Sequence, residues 1–220
     1  MQKSNIHINI NGVNIERVNH TKFLGVLLDE NLSWSHHIWS IESKVSRNIG
    51  ILYKCNKVLD SVHLLYLYNS LILPYLNYCT VIWGNNKKCR LTTLTNLQKK
   101  AVRCVAKTGY KDHTSPLFKR FNMLKLADII CLNAGVLMFR IMNSNVLPNL
   151  NLFMPSNVIH HYNTRNATSI FITQCRTNYR KLSLKYTGAK LWNNLPVSLK
   201  SSKCIDSFKN KFKKILCQDY

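Results

Sequence analysis

Carboxylates able to hold catalytic metal ions are scarce in this sequence. Joining or hydrolysing nucleotides requires clustered carboxylates that bind two metal ions. The chain has nine Asp and Glu residues, and only Asp29 and Glu30 are adjacent. They sit at the end of an apolar run, where the reading is a solvated turn. His36-His37 and His160-His161 are the paired histidines, and neither has a carboxylate at acid–base spacing. There is no Walker-type glycine loop, no H-E-x-x-H and no G-x-S-x-G. The eight cysteines show no C-x-x-C spacing, so neither a zinc site nor a disulfide framework is expected. No catalytic residue, no metal site and no cofactor is therefore assigned to this chain.

The chemistry that remains is binding. Lys and Arg number 31, giving a formal charge of +22, which calls for a polyanionic partner. The charge is blocked rather than spread. Between Lys87 and Lys125 the one acidic residue is Asp112, and between Arg165 and Lys214 it is Asp206. From Ser61 to Asn86 there is no charge at all. Cations interleaved with Tyr and Trp suit nucleic acid, because ammonium and guanidinium groups neutralise phosphate while rings pack on sugars and bases. The candidate contacts are Lys44, Arg47, Lys54, Lys99, Lys100, Arg103 and Lys107. Nothing specifies a base sequence, so backbone contact is expected.

The elements that must position these residues follow from periodicity. Ile6, Ile8 and Ile10 alternate up to Asn11-Gly12, then Val13 and Ile15 alternate again, which is a hairpin signal. Its register places Ile10 opposite Val13 and Ile8 opposite Ile15. Phe23 to Leu28 reads as a third, buried strand, in which Gly25 marks a close approach of another chain. A helix from Ser33 or Ser35 carries the stripe Ile38, Ile41, Val45, Ile49 and Leu52. The segment from Ser61 to Asn86 reads as a buried helix pair, capped at Asp60 or Ser61 and kinked or broken at Pro74. A rival reading makes it a single membrane span.

A further helix is expected over Leu91 to Lys107, with Leu94, Leu97, Ala101 and Val105 inward and Gly109 as its C′ glycine. Ser115-Pro116 predicts another helix start. Met123 to Met142 reads as a helix with a stripe of Leu126, Ile129, Ile130, Leu137 and Ile141. A loop over 147–166 reads as a boundary. Beyond it the reading is extended pieces at Ser169–Thr173 and Lys181–Tyr186, a short helix around Ala189–Asn193, and a last helix from Asp206 with Phe208, Phe212, Ile215 and Leu216 on one face.

The fold class is thus mainly α with a small N-terminal antiparallel β-sheet, an α+β arrangement. The expected units are 1–32, 33–146 and 147–220. MQKSNIHINI lacks a signal-peptide stretch, so an intracellular chain, nuclear or cytoplasmic and not secreted, is expected.

KFLGVLLDENLSW followed by HI resembles the end of the reverse transcriptase palm in non-LTR, LINE-type retrotransposons of the jockey and CR1 kind. The resemblance continues through SLILPYLNYCTVIWG, LTTLTNLQKKAVRCV and DHTSPLFKRFNMLKLADI. It ends with HHYNTRN, KLSLKYTGAKLWNNLPVSL and SFKNKFKK. It implies an RNA-directed DNA polymerase. Lys22, Phe23, Leu24 and Gly25 would match the primer grip, and the helices from Trp34 to Lys107 the thumb that packs along a primer–template duplex. The family's Tyr-Ala-Asp-Asp-type motif is not in this sequence. The resemblance therefore implies a fragment, inactive alone, whose Mg²⁺ belongs to an upstream palm that would be its partner together with the fingers. A rival reading is a stand-alone basic helical nucleic-acid-binding protein.

Overall fold

The computed structural model describes residues 8–144, 153–154, 169–218 and 220. The expected loop over 147–166 falls almost wholly outside the described residues, as do His160-His161 and HHYNTRN. The architecture is mainly α-helical, with two small antiparallel sheets at the N-terminal end.

Strands β1 (Ile8–Ile10) and β2 (Val13–Ile15) pair with Ile8 opposite Ile15 and Ile10 opposite Val13, the register that Asn11-Gly12 dictates. Asn11 and Gly12 both take positive φ, at 50° and 82°, as a two-residue hairpin turn requires. All four apolar side chains of this hairpin are at least half exposed.

The run from Phe23 to Leu28 is not one strand. It folds back on itself as β3 (His20–Phe23) and β4 (Val26–Asp29), with Phe23 opposite Val26. Leu24 and Gly25 form the turn at φ 45° and 81°. Apolar character hid that reversal, because a left-handed leucine has no compositional signature. β3–β4 does not join β1–β2, so the expected three-stranded sheet is two separate ribbons. Within the run Val26 is buried while Phe23 and Leu24 are 63% and 74% exposed.

Helix α1 (Ser35–Cys55) buries the predicted stripe of Ile38, Ile41, Val45, Ile49 and Leu52. The uncharged segment breaks into α2 (Ser61–Leu71), α3 (Leu73–Asn77) and α4 (Thr80–Trp83). Asp60 caps α2 by accepting from the His63 N–H at 3.0 Å. Pro74 lies in the first turn of α3, where its missing N–H is harmless. Three helices of 11, 5 and 4 residues cannot span a bilayer. Among the described residues the one helix long and apolar enough to cross a membrane is α7 (Leu126–Ser144). One face of it is packed in the core, with Leu126, Ile129, Leu132, Met138 and Phe139 buried. That set differs from the expected stripe, since Ile130, Leu137 and Ile141 are only partly covered.

Helix α5 (Lys88–Ala106) lies beside α1, and the Asn56 side chain ties them by donating to the Cys104 carbonyl at 3.3 Å. The helix ends one turn short of Gly109. Lys107 itself takes the left-handed position at φ 56°, and its N–H bonds back to the carbonyls of Arg103 and Cys104. Helix α6 (Ser115–Arg120) has Thr114 as its N-cap, one residue before the expected Ser115.

The C-terminal part corrects the sequence reading most. Lys181–Tyr186 is helical, split between α8 (Asn178–Leu182) and α9 (Leu184–Asn194). A single turn, α10 (Val197–Lys200), precedes α11 (Ile205–Gln218). Phe208 and Phe212 of α11 are buried as expected, whereas Ile215 is 38% exposed. Trp192, Phe208 and Phe212 join Met138 and Phe139 of α7 in one continuous buried cluster that also contains the α1–α5 core.

One buried polar residue stitches this core. The Gln98 amide donates to the Tyr68 hydroxyl at 3.0 Å and the Leu124 carbonyl at 2.9 Å, and its oxygen accepts from the Leu126 N–H at 2.8 Å. A buried amide is tolerated only when satisfied in this way.

Candidate nucleic-acid interface

Asp29 closes β4 and shapes the entry to α1. Its carboxylate accepts from the N–H groups of Asn31 at 3.2 Å, Ser33 at 2.9 Å and Trp34 at 2.8 Å, and from the Ser33 hydroxyl at 3.2 Å. These bonds hold Leu32 and Trp34 in left-handed backbone, at φ 48° and 62°. Burial pushes the carboxyl pKa up, but the bonds from Ser33, Trp34 and Asn31 outweigh it and hold the group below its ordinary 3.8. Asp29 is therefore a buried cap, 7% exposed, and not the solvated turn residue expected. Both its oxygens are engaged, and Glu30 faces Arg17 at 3.5 Å, so this pair does not fit a Mg²⁺ ion.

The β3–β4 tip is fastened to the helices by a closed series of contacts. The Tyr78 hydroxyl donates to the Leu24 carbonyl at 2.6 Å. The Tyr78 carbonyl accepts from the Trp83 indole N–H at 2.9 Å. The Trp83 ring meets His37 edge-on, with centroids 5.9 Å apart. His37 Nδ1 accepts from the Leu27 N–H at 3.3 Å, back in the hairpin. Burial, and then the Lys44 charge, push the His37 pKa down, so the ring is neutral and its Nδ1 lone pair is available. A Cβ on Gly25 would lie 3.5 Å from the Tyr78 ring, which is ordinary contact. The turn conformation, more than a close approach, is what selects glycine there.

Lys22, Phe23, Leu24 and Gly25 thus share one exposed tip. Lys44 of α1 has its ammonium 5.6 Å from the Tyr75 ring, and its field reaches His37. Arg47 is exposed one turn further along α1, its Nε on the Ser43 carbonyl at 3.4 Å. Lys54 is exposed in the last turn.

Lys99, Lys100 and Arg103 line a groove of 490 Å³ with Asn96 and Tyr110. The Arg103 guanidinium lies 5.9 Å from the Tyr110 ring, and its Nε donates to the Asp112 carbonyl at 2.9 Å. Tyr53 of α1 lies within electrostatic range of Arg103 and Tyr110 and is 48% exposed. Lys107 caps the same helix and is exposed, but it does not line the groove. Of the seven predicted cations, Lys99, Lys100 and Arg103 line one groove, and Lys44, Arg47, Lys54 and Lys107 are not part of its lining. Tyr110 and Tyr53 were not singled out from sequence. The available signal was an aromatic within a run of cations, as in Lys107-Thr108-Gly109-Tyr110-Lys111.

Among curated proteins the chain is similar to the RNA-directed DNA polymerase from mobile element jockey of Drosophila melanogaster, 29% identical over 125 residues. That stretch is 55% of this chain and 14% of the fly protein, so the chain spans a small part of that relative's length. The relationship to RNA-directed DNA polymerases is distant. No protein-family model matches the chain, and no solved structure does.

Proposed function

We propose that this chain is the end of the palm and the thumb of a LINE-type reverse transcriptase, holding a primer–template duplex for carboxylates that lie outside it. The observation that carries the reading is the β3–β4 tip. A leucine held in left-handed backbone is strained, and it is exposed rather than packed. Such strain persists only where surrounding contacts impose it, here the Tyr78 hydroxyl on the Leu24 carbonyl. Phe23 and Leu24 offer apolar contact to a terminal sugar, and Lys22 beside them offers charge to its phosphate. Gly25 lets the turn form without a side chain in the way.

The thumb surface follows the tip along the duplex. Lys44, Arg47 and Lys54 neutralise phosphates on one side, and Lys99, Lys100, Arg103 and Lys107 on the other. Mg²⁺ would bind the upstream palm, which with the fingers is the protein partner in this reading. Such a protein works inside the cell, in the nucleus or cytoplasm.

The test is fluorescence anisotropy with a labelled primer–template duplex. Affinity falls steeply as salt rises, and replacing Lys99, Lys100 and Arg103 by Gln lowers the salt slope by about 2.7, at about 0.9 per phosphate contact. A flat salt response would remove the proposal. Primer extension with Mg²⁺ by these residues alone yields no product, and templated synthesis would overturn the assignment of the chemistry to other residues. An in-frame Asp-Asp motif encoded upstream of Met1 is expected; a promoter there would favour a stand-alone nucleic-acid-binding protein.

A further inference from the structure

A further cavity contains none of the seven predicted cations in its lining. It measures 1090 Å³ and sits among the β4–α1 corner, α4, the start of α5, α7 and the C-terminal helices. Its lining includes Lys87, Arg90, Arg140 and Lys209 against one carboxylate, Asp206. Among the described residues none of these four cations has a carboxylate within 4.0 Å. Arg90 donates one guanidinium N–H to the Ser33 carbonyl, which it shares with the Asn86 amide. Its remaining donors are left for a ligand. Tyr179, 78% exposed, stands in the same lining.

A second cavity of 540 Å³ shares three lining residues with the first, Asn77, Asn133 and Lys209. The Asn133 amide donates to the Asn77 side chain at 3.3 Å where the two meet. In the first cavity the Asn85 amide nitrogen is buried without a hydrogen-bond partner. Buried amides of this kind need an acceptor, and a ligand supplies one.

We infer that this pair of cavities seats a single strand of nucleic acid, separate from the duplex surface on α1 and α5. The extent is one reason, since the two cavities adjoin at Asn77, Asn133 and Lys209. The chemistry is the other. Four unpaired cations on three different segments suit successive phosphates along a strand rather than one convergent anion. An exposed tyrosine and a series of asparagines suit bases whose faces and edges are open, which requires them to be unpaired. The inference does not depend on the polymerase reading.

Anisotropy on the full chain with a labelled oligouridine strand and, separately, a duplex tests it. Arg140→Gln with Lys209→Gln weakens the single strand about tenfold and lowers its salt slope by about 1.4, at about 0.7 per contact, while duplex affinity stays within about twofold. Equal loss for both ligands with the near-UV circular dichroism unchanged, or no loss for the single strand, would overturn it. Replacing Lys99, Lys100 and Arg103 shifts duplex affinity instead, so the two proposals fail separately. Photocrosslinking of a 5-iodouridine strand to the unmodified chain gives an adduct at Tyr179, and adducts confined to Tyr53 and Tyr110 would refute the site independently of any variant's folding.

Discussion

Leu24 holds φ at 45°, where an L side chain crowds its own backbone by roughly 1–2 kcal/mol. Glycine removes that crowding, so Leu24→Gly is expected to raise the melting temperature while weakening duplex binding, because the apolar contact at the tip is lost. Calorimetry and anisotropy on one preparation check both; a variant that binds as well as the parent would deny the tip a role. Asp29 makes the opposite prediction. Asp29→Ala removes the cap of the β4–α1 corner and costs about 1–2 kcal/mol at neutral pH. The sign of its pH dependence follows from the lowered pKa. Stability from Asp29 is present above its unfolded value near 3.8 and is lost as pH falls through the lower folded value. The gap between parent and Asp29→Ala in urea melts therefore closes below about pH 4. A gap unchanged at pH 2 would show that the corner does not depend on the charge. Leu24 was named with the primer grip by resemblance, but neither its left-handed backbone nor the cap made by Asp29 was legible in the sequence, since a leucine's φ and a carboxylate's four donors are set by the fold around them.

At the scale of elements, what was legible and what was not divide by range. The α1 stripe and the α5 face were readable because five and four apolar positions, respectively, repeat at helical spacing, and local periodicity decides such helices. The Asn11-Gly12 register was readable because the turn type fixes it. KLSLKY alternates like a strand, yet it forms the ends of α8 and α9. The deciding contact is distant. A Cβ on Gly188 of α9 would meet Met138 Sδ at 2.8 Å, so this helix is held against α7 by the absence of a side chain. Gly135 of α7 is closer still to α11, with its would-be Cβ 2.5 Å from Phe212 Cε1. Gly135→Ala is expected to destabilise by about 1–3 kcal/mol through overpacking, despite alanine's better helix propensity. Phe212→Leu in the same chain should recover part of that loss, and strict additivity would show that the two positions do not touch.

At the scale of the molecule the question is whether the C-terminal helices are an appendage or part of the fold. Phe208, Phe212 and Trp192 are each at least 94% buried, and Phe208 stacks on Phe139 of α7 with centroids 4.6 Å apart. Tyr220 adds a polar tie, donating to the Asp128 carboxylate at 2.5 Å and accepting from the Lys125 N–H at 2.9 Å. The Lys125 ammonium lies over the same ring, 4.1 Å from its centroid. Truncating a buried phenylalanine costs about 3–5 kcal/mol, a large share of the 5–15 kcal/mol that holds a typical domain. Removing residues 169–220 would expose Met138 and Phe139 together, uncovering the face of α7 that is hydrophobic enough to resemble a membrane span. The intact chain is therefore expected to melt in one cooperative transition, and a chain ending at residue 168 to lose that transition and aggregate. Two separated transitions in the intact chain, or a cooperative melt from the shortened one, would make the C-terminal helices an independent unit. The strand cavity would then have been assembled from parts free to separate, because Arg140 comes from α7 and Lys209 from α11. One cooperative unit keeps those two cations at fixed spacing, which is the condition for holding successive phosphates of a single strand.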